Sequence, residues 1–244
     1  MKKYLPILLF VVGLVVLVGV FLFIRGRKSS SSDTREDVLT EISLEKRPLT
    51  SLTPSEDGHW LKLKIEKMSL DANSLDYELL YKLPDGRTQG VPGTVKIDGK
   101  TSLERDLLLG SESSGKYRYD EGVEEGSLTL RFRNEKGKLL GKLATDFHLQ
   151  SGDVNLSSVD GKFKYVLAKK PTRAYFVVME TFGLPEDTSS VISGPYGVFG
   201  SSSEALAGIV SLEGQKMLYW TGSKWSELTS GKSTNIGIFI GTSE

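Results

Sequence analysis

The 244-residue chain contains no cysteine and two histidines, His59 and His148. Without cysteine there is no disulfide framework, no thiol nucleophile, no iron–sulfur cluster and no thiolate-ligated zinc. Two imidazoles leave little room for metal or acid–base chemistry built on histidine. Net charge is missing too: 31 Lys+Arg offset 31 Asp+Glu. A neutral chain lacks the clustered cations that displace counterions from phosphates, so a nucleic-acid partner is not expected.

Phosphate loops and nucleophile elbows are also lacking. Gly231-Lys232-Ser233 has the ending of a phosphate-binding loop, but Ser226 stands where the motif needs glycine, and a strand pattern follows instead of a helix. Gly99-Lys100-Thr101 fails in the same way, with Thr94 at the glycine position. No serine sits in a G-x-S-x-G turn. Paired carboxylates for glycoside hydrolysis can be drawn anywhere among 31 acids and so single out no residue. No cofactor is expected, and no catalytic residue emerges.

The zero charge is a cancellation. Residues 1–28 hold Lys2, Lys3, Arg25, Arg27 and Lys28 and no acid. The other 216 residues therefore carry 26 bases against all 31 acids, a net charge of −5. Between the basic flanks, residues 5–24 are uncharged, opening at Leu5 and closing at Ile24. Twenty residues at about 1.5 Å each match the thickness of a bilayer core. A transmembrane helix satisfies every backbone amide internally, and Pro6 in its first turn costs little. A cleaved signal peptide is the rival, but its apolar region is shorter and ends in small residues, whereas this one ends in Arg25-Gly26-Arg27-Lys28. We expect an uncleaved single-pass anchor with the bilayer as partner. The flanking charges slightly favour a cytoplasmic body; long segments after a short tail are nevertheless commonly translocated, and we expect the body outside.

Ser29 to Ser32 form a serine spacer, and residues 29–56 are expected to be a stalk. Within it, Thr34 to Asp37 resemble a capping box ahead of Val38, Leu39, Ile42 and Leu44, so the stretch is either a short helix or a polar stalk. From His59 the pattern changes to period two. Leu61, Leu63 and Ile65 alternate with lysines, Leu75 to Leu83 with acids and Lys82, and Leu128, Leu130 and Phe132 with Thr129 and Arg131. Residues 139–149 continue it, with His148 on the outward parity. Such alternation buries one face of an antiparallel sheet. Glycine turns at Asp57-Gly58, Pro84-Asp85-Gly86, Asp98-Gly99, Glu121-Gly122 and Gly137 separate the runs. The strand count over residues 57–150 is that of an immunoglobulin-like sandwich.

Ser151-Gly152-Asp153 reads as a boundary. Beyond it, residues 151–244 form a second β-rich module or the remainder of one larger sandwich. In it, residues 174–181 are apolar on both parities and are expected to lie centrally. The expected fold class is therefore all-β: an N-terminal transmembrane helix, then one or, by preference, two antiparallel β-sandwich modules.

One hairpin is specific. A Gly222-Ser223 turn places Trp220 opposite Trp225. The run Leu218-Tyr219-Trp220-Thr221-Gly222-Ser223-Lys224-Trp225, followed by Gly237-Ile238-Phe239-Ile240, resembles the terminal hairpin and last strand of β-sandwich modules in bacterial single-pass envelope proteins. Residues 59–149 likewise look like an immunoglobulin-like or fibronectin-type-III-like unit, without the Cys–Trp–Cys spacing of true immunoglobulin domains. The resemblance implies an adhesive or structural role and carries over no catalytic residue. Tyr219, Trp220 and Trp225 are the candidate binding platform for a protein or glycan. Asp120, Glu121, Glu124 and Glu125 cluster after Tyr117-Arg118-Tyr119; they suit either calcium or a solvated turn. The expected function is a non-catalytic binding or structural protein of the cell envelope. Its alternative is a membrane-anchored hydrolase or accessory subunit using carboxylates.

Overall fold

Each run of period-two alternation becomes a strand in the computed structural model, which describes residues 41–243. In chain order the strands are β1 (Leu49–Pro54), β2 (Trp60–Glu66), β3 (Ser74–Lys82), β4 (Thr88–Lys96), β5 (Leu103–Leu108) and β6 (Gly110–Ser113). There follow β7 (Lys116–Tyr119), β8 (Glu125–Arg133), β9 (Leu139–Ser151), β10 (Asn155–Ser157), β11 (Lys164–Leu167) and β12 (Tyr175–Glu180). The last are β13 (Val191–Gly200), β14 (Gly208–Ser211), β15 (Lys216–Trp220), β16 (Trp225–Glu227), β17 (Lys232–Ser233) and β18 (Ile238–Thr242). Among the described residues there is no α-helix, and none is long and apolar enough to cross a membrane. The expected span, residues 5–24, lies outside the described residues.

Nine strands form one antiparallel sheet in the order β16-β15-β18-β13-β12-β9-β8-β3-β4. A three-stranded sheet, β1-β2-β5, and a four-stranded sheet, β10-β11-β14-β17, pack against it, while β6 and β7 stand apart as a hairpin. The first core lies between the three-stranded sheet and β3, β8 and β9, where Leu52, Leu61 and Leu63 meet Leu79, Leu130 and Phe147. The second lies between the four-stranded sheet and β12, β13 and β18, with Tyr165 and Val210 meeting Phe176, Val198 and Phe239.

β12 explains how the two cores coexist. Val177 and Met179 belong to the first core, Phe176 and Val178 to the second. Successive strand residues point to opposite faces, so the two small sheets cover opposite faces of the large one. A strand apolar on both parities is what this junction requires. The expected boundary at Ser151-Gly152-Asp153 therefore needs correction. It closes β9, but β9 pairs with β12 from Ser151↔Tyr175 to Phe147↔Met179, so residues 57–150 and 151–244 share a sheet.

The stalk also needs correction. Residues 49–54 form β1, paired with β2 from Leu49↔Glu66 to Pro54↔Leu61. Its inward positions are Thr50, Leu52 and Pro54, a buried set in which one residue is strongly apolar, so the alternation did not stand out. Of the expected short helix, residues 34–40 lie outside the described residues, residues 41–43 are irregular and Leu44–Lys46 make a single 3-10 turn. Ile42 is buried against Gly141.

Candidate functional site

The expected Trp220–Trp225 pair is present: the residues are cross-strand partners, with ring centroids 5.4 Å apart and edge-to-face at 65°. The platform of three is nevertheless split. Tyr219 points to the opposite face and stacks on Phe239 at 5.2 Å. Burial there pushes its hydroxyl pKa upward. Trp225 Nε1 donates to the Glu186 carbonyl at 2.8 Å, tying the hairpin to the loop after β12. Both tryptophans are half-buried. Trp225→Ala is therefore expected to cost about 2 kcal/mol, from one edge-to-face pair and one hydrogen bond. Urea denaturation measures it, and unchanged stability would show that the ring packs against nothing that matters.

A different aromatic cluster is exposed. His59 stacks on Tyr119 with centroids 4.2 Å apart and 10° between planes. Tyr119 lies parallel to Tyr117 at 6.2 Å, and Trp60 meets Tyr117 edge-on at 5.5 Å. Tyr117 is 48% and Tyr119 38% exposed, and neither ring belongs to either core. The ladder is held from below. Leu109, fully buried, donates its N–H to the His59 carbonyl at 2.9 Å and accepts from Asp120 N–H at 3.0 Å. At Gly110 a Cβ would lie 2.2 Å from the Arg118 carbonyl oxygen, so only glycine lets β6 and β7 close at their base.

His59 also forms one wall of an open cleft of about 500 Å³. The cleft brings together residues that sequence reasoning had kept apart: both histidines and the acids Asp120, Glu121 and Glu124, joined by Asp57 and Asp153. No Lys or Arg lines it. Asp57 is held below the usual carboxylate range by the Ser55 hydroxyl and the His59 N–H. Asp153 is held low by the N–H groups of Asn155 and Val154. His148 Nδ1 sits 2.9 Å from the Ser157 carbonyl, and Tyr81 donates its hydroxyl to Asp120 Oδ2 at 2.8 Å. Gly58 is pressed against the Tyr175 ring, leaving no room for a side chain on that wall. Among the described residues no three His, Asp or Glu side chains converge closely enough to hold a metal ion.

A smaller recess of about 170 Å³ contains a second carboxylate group. Partial burial works to raise the Asp160 pKa, but it is outweighed by hydrogen bonds from Ser158, the Lys162 N–H and the Tyr196 hydroxyl, and the net shift is downward. Glu180, the exposed last residue of β12, shifts upward, through partial loss of hydration in the recess and then the negative charge of Asp160.

The fold and these surfaces define an all-β, antiparallel protein with an aromatic ladder beside an acidic cleft. Comparison with protein-family models, curated proteins and solved structures finds no match to this chain.

Proposed function

We propose that this chain is a non-catalytic binding protein of the cell envelope, anchored by residues 5–24 with its β-sandwich body outside. Its ligand contact is the His59–Tyr119–Tyr117 ladder with Trp60, in place of the Trp220–Trp225 hairpin. The observation that carries this reading is the exposure of two parallel tyrosines that contribute to neither core. Exposed aromatic clusters of this kind mark binding surfaces on soluble domains. In support of the anchor are the twenty uncharged residues between basic flanks.

The test uses full-length protein in lipid nanodiscs to capture material from native envelope. Tyr117→Ala/Tyr119→Ala is expected to lower capture at least about tenfold, the loss of one aromatic hot spot, with the melting temperature unchanged. Capture independent of both tyrosines would overturn the ladder assignment. Protease added to spheroplasts is expected to degrade the body, and full protection would reverse the orientation.

One observation favours the hydrolase alternative: Asp160 and Glu180 share a recess and their pKa values are pushed in opposite directions, the tendency by which paired carboxylates divide base and acid roles. That reading requires hydrolysis of glycosidic substrates that disappears in Glu180→Gln. Absence of hydrolysis by the parent protein disposes of it.

A further inference from the structure

The ladder and the cleft meet at His59, which stacks on Tyr119 on one side and lines the acidic wall on the other. The two surfaces are therefore adjacent, joined at His59. Three observations describe what a ligand spanning both carries. First, the ladder leaves aromatic surface of Tyr117 and Tyr119 open to solvent, which suits the C–H groups of a sugar ring or another weakly polar surface. Second, five carboxylates and no Lys or Arg line the cleft, with the charge of Lys170 reaching Asp153 from outside it. Asp57 and Asp153 stay ionised through bonds from their own turns. Third, charge is segregated on the hairpin itself. Glu112 is the cross-strand partner of Tyr117 and shares its face, whereas Lys116 and Arg118 alternate to the other.

The polar groups in the cleft include the carboxylates, the amides of Gln150 and Asn155, the hydroxyls of Ser151 and Ser157 and the two imidazoles. The apolar residues lining it, Val123 and Leu149, are themselves buried in the first core and leave no socket for a peptide side chain. At about 500 Å³ the space is in the size class of small-ligand sites, and it shares His59 with the ladder.

We propose that the ladder and cleft together bind a polysaccharide bearing free primary amines, a polymer of glucosamine type with at least part of its N-acetyl groups removed. Sugar rings pack on the exposed aromatic surface of Tyr119 and Tyr117, hydroxyls donate to the cleft carboxylates, and the ammonium groups lie opposite Asp57 and Asp153. Anionic polymers are excluded by the same charges. This assignment rests on the ladder being the contact surface, and its test separates the two.

The experiment measures binding of full-length protein in phosphatidylcholine nanodiscs, with empty nanodiscs as control. The probes are a glucosamine hexamer, its N-acetylated counterpart, a neutral glucose hexamer and oligolysine. The expected result is binding of the glucosamine hexamer at least about tenfold tighter than the acetylated or neutral hexamer, weakening as salt rises from about 0.05 to about 0.5 M. Asp57→Asn/Asp153→Asn should remove most of that preference, because the amides keep the turn hydrogen bonds while losing the charge. Tyr117→Ala/Tyr119→Ala should weaken all sugar probes together. Equal binding of the amino and acetylated hexamers would overturn the cationic assignment while leaving the ladder intact. Oligolysine binding as tightly as the glucosamine hexamer would overturn the glycan assignment in favour of a basic peptide. No binding of any sugar, with envelope capture still dependent on the tyrosines, would overturn the polysaccharide and spare the binding-protein reading. Loss of that dependence would overturn both.

Discussion

Phe239→Ala is expected to lower the free energy of unfolding by about 4 kcal/mol, in the range for deleting a fully buried phenylalanine ring. Phe239 is 0% exposed. Its ring centroid lies 5.6 Å from those of Phe163 and Tyr165 and 5.2 Å from that of Tyr219, so one substitution unpacks three neighbours. Its strand, β18, is buried throughout and sits between β13 and β15, which hold it on both sides and prevent it from collapsing into the space. The effect also reaches beyond the second core. Because β12 contributes Phe176 and Val178 to one core and Val177 and Met179 to the other, loosening either core removes support from the shared strand. Urea unfolding followed by tryptophan fluorescence and far-UV circular dichroism should therefore show one transition in the parent protein. Phe239→Ala and Phe132→Ala, one in each core, should shift that same transition. Two transitions, with Phe239→Ala moving one of them, would show that the two halves unfold independently.

How much of this was legible follows from what each strand buries. Strands with one apolar face, such as β2 and β8, announce themselves by strict alternation because their inward residues are Leu, Ile and Phe, and β9 does so through Leu143, Phe147 and Leu149. β4 went unread because its sequence, Thr-Gln-Gly-Val-Pro-Gly-Thr-Val-Lys, contains two glycines and a proline and buries no residue fully. An edge position tolerates that composition, since Pro92 needs no ladder partner on its outer side, and the same proline discourages a further strand from adding there. The doubly apolar β12 was recognised as central. Its consequence, small sheets on opposite faces, was not, because alternation specifies a face only relative to its own strand and not which layer covers it.

The site was less legible than the fold. Tyr117 and Tyr119 lie two apart, a spacing that puts both on one face of any strand, and that signal was present in the sequence. What turns them into a ladder is His59, 60 residues away from Tyr119, delivered through the Leu109–His59 backbone bond. The Trp220–Trp225 hairpin was read correctly as a pair because its turn is local. Its role as a fastening to Glu186 depends on a long-range contact that no local pattern encodes.

The second large effect is expected at alkaline pH. Tyr81, Tyr165 and Tyr196 are at most 3% exposed. Burial raises all three hydroxyl pKa values above the ordinary 10.0, Tyr165 to about 12. Tyr81 and Tyr196 also donate to Asp120 and Asp160 at 2.8 Å each, and the carboxylate charge opposes formation of a phenolate beside it. The folded pKa values thus lie above the unfolded ones. The stabilisation is complete below pH 10.0 and is lost as pH rises through the folded values, because the unfolded chain releases its protons first. One unit of separation corresponds to about 1.4 kcal/mol; allowing for partial hydration of the hydroxyls, about 1 kcal/mol per tyrosine is lost by about pH 11, or about 3 kcal/mol in all. Urea midpoints measured at rising pH should fall steeply in this window, with phenolate absorbance appearing together with unfolding and not before it. Tyr196→Phe should cost about 1 kcal/mol at neutral pH through the lost hydrogen bond while making the alkaline fall shallower by roughly one third. Phenolate absorbance that saturates in the still-folded protein, with no change in the urea midpoint, would show that these hydroxyls titrate as if solvated.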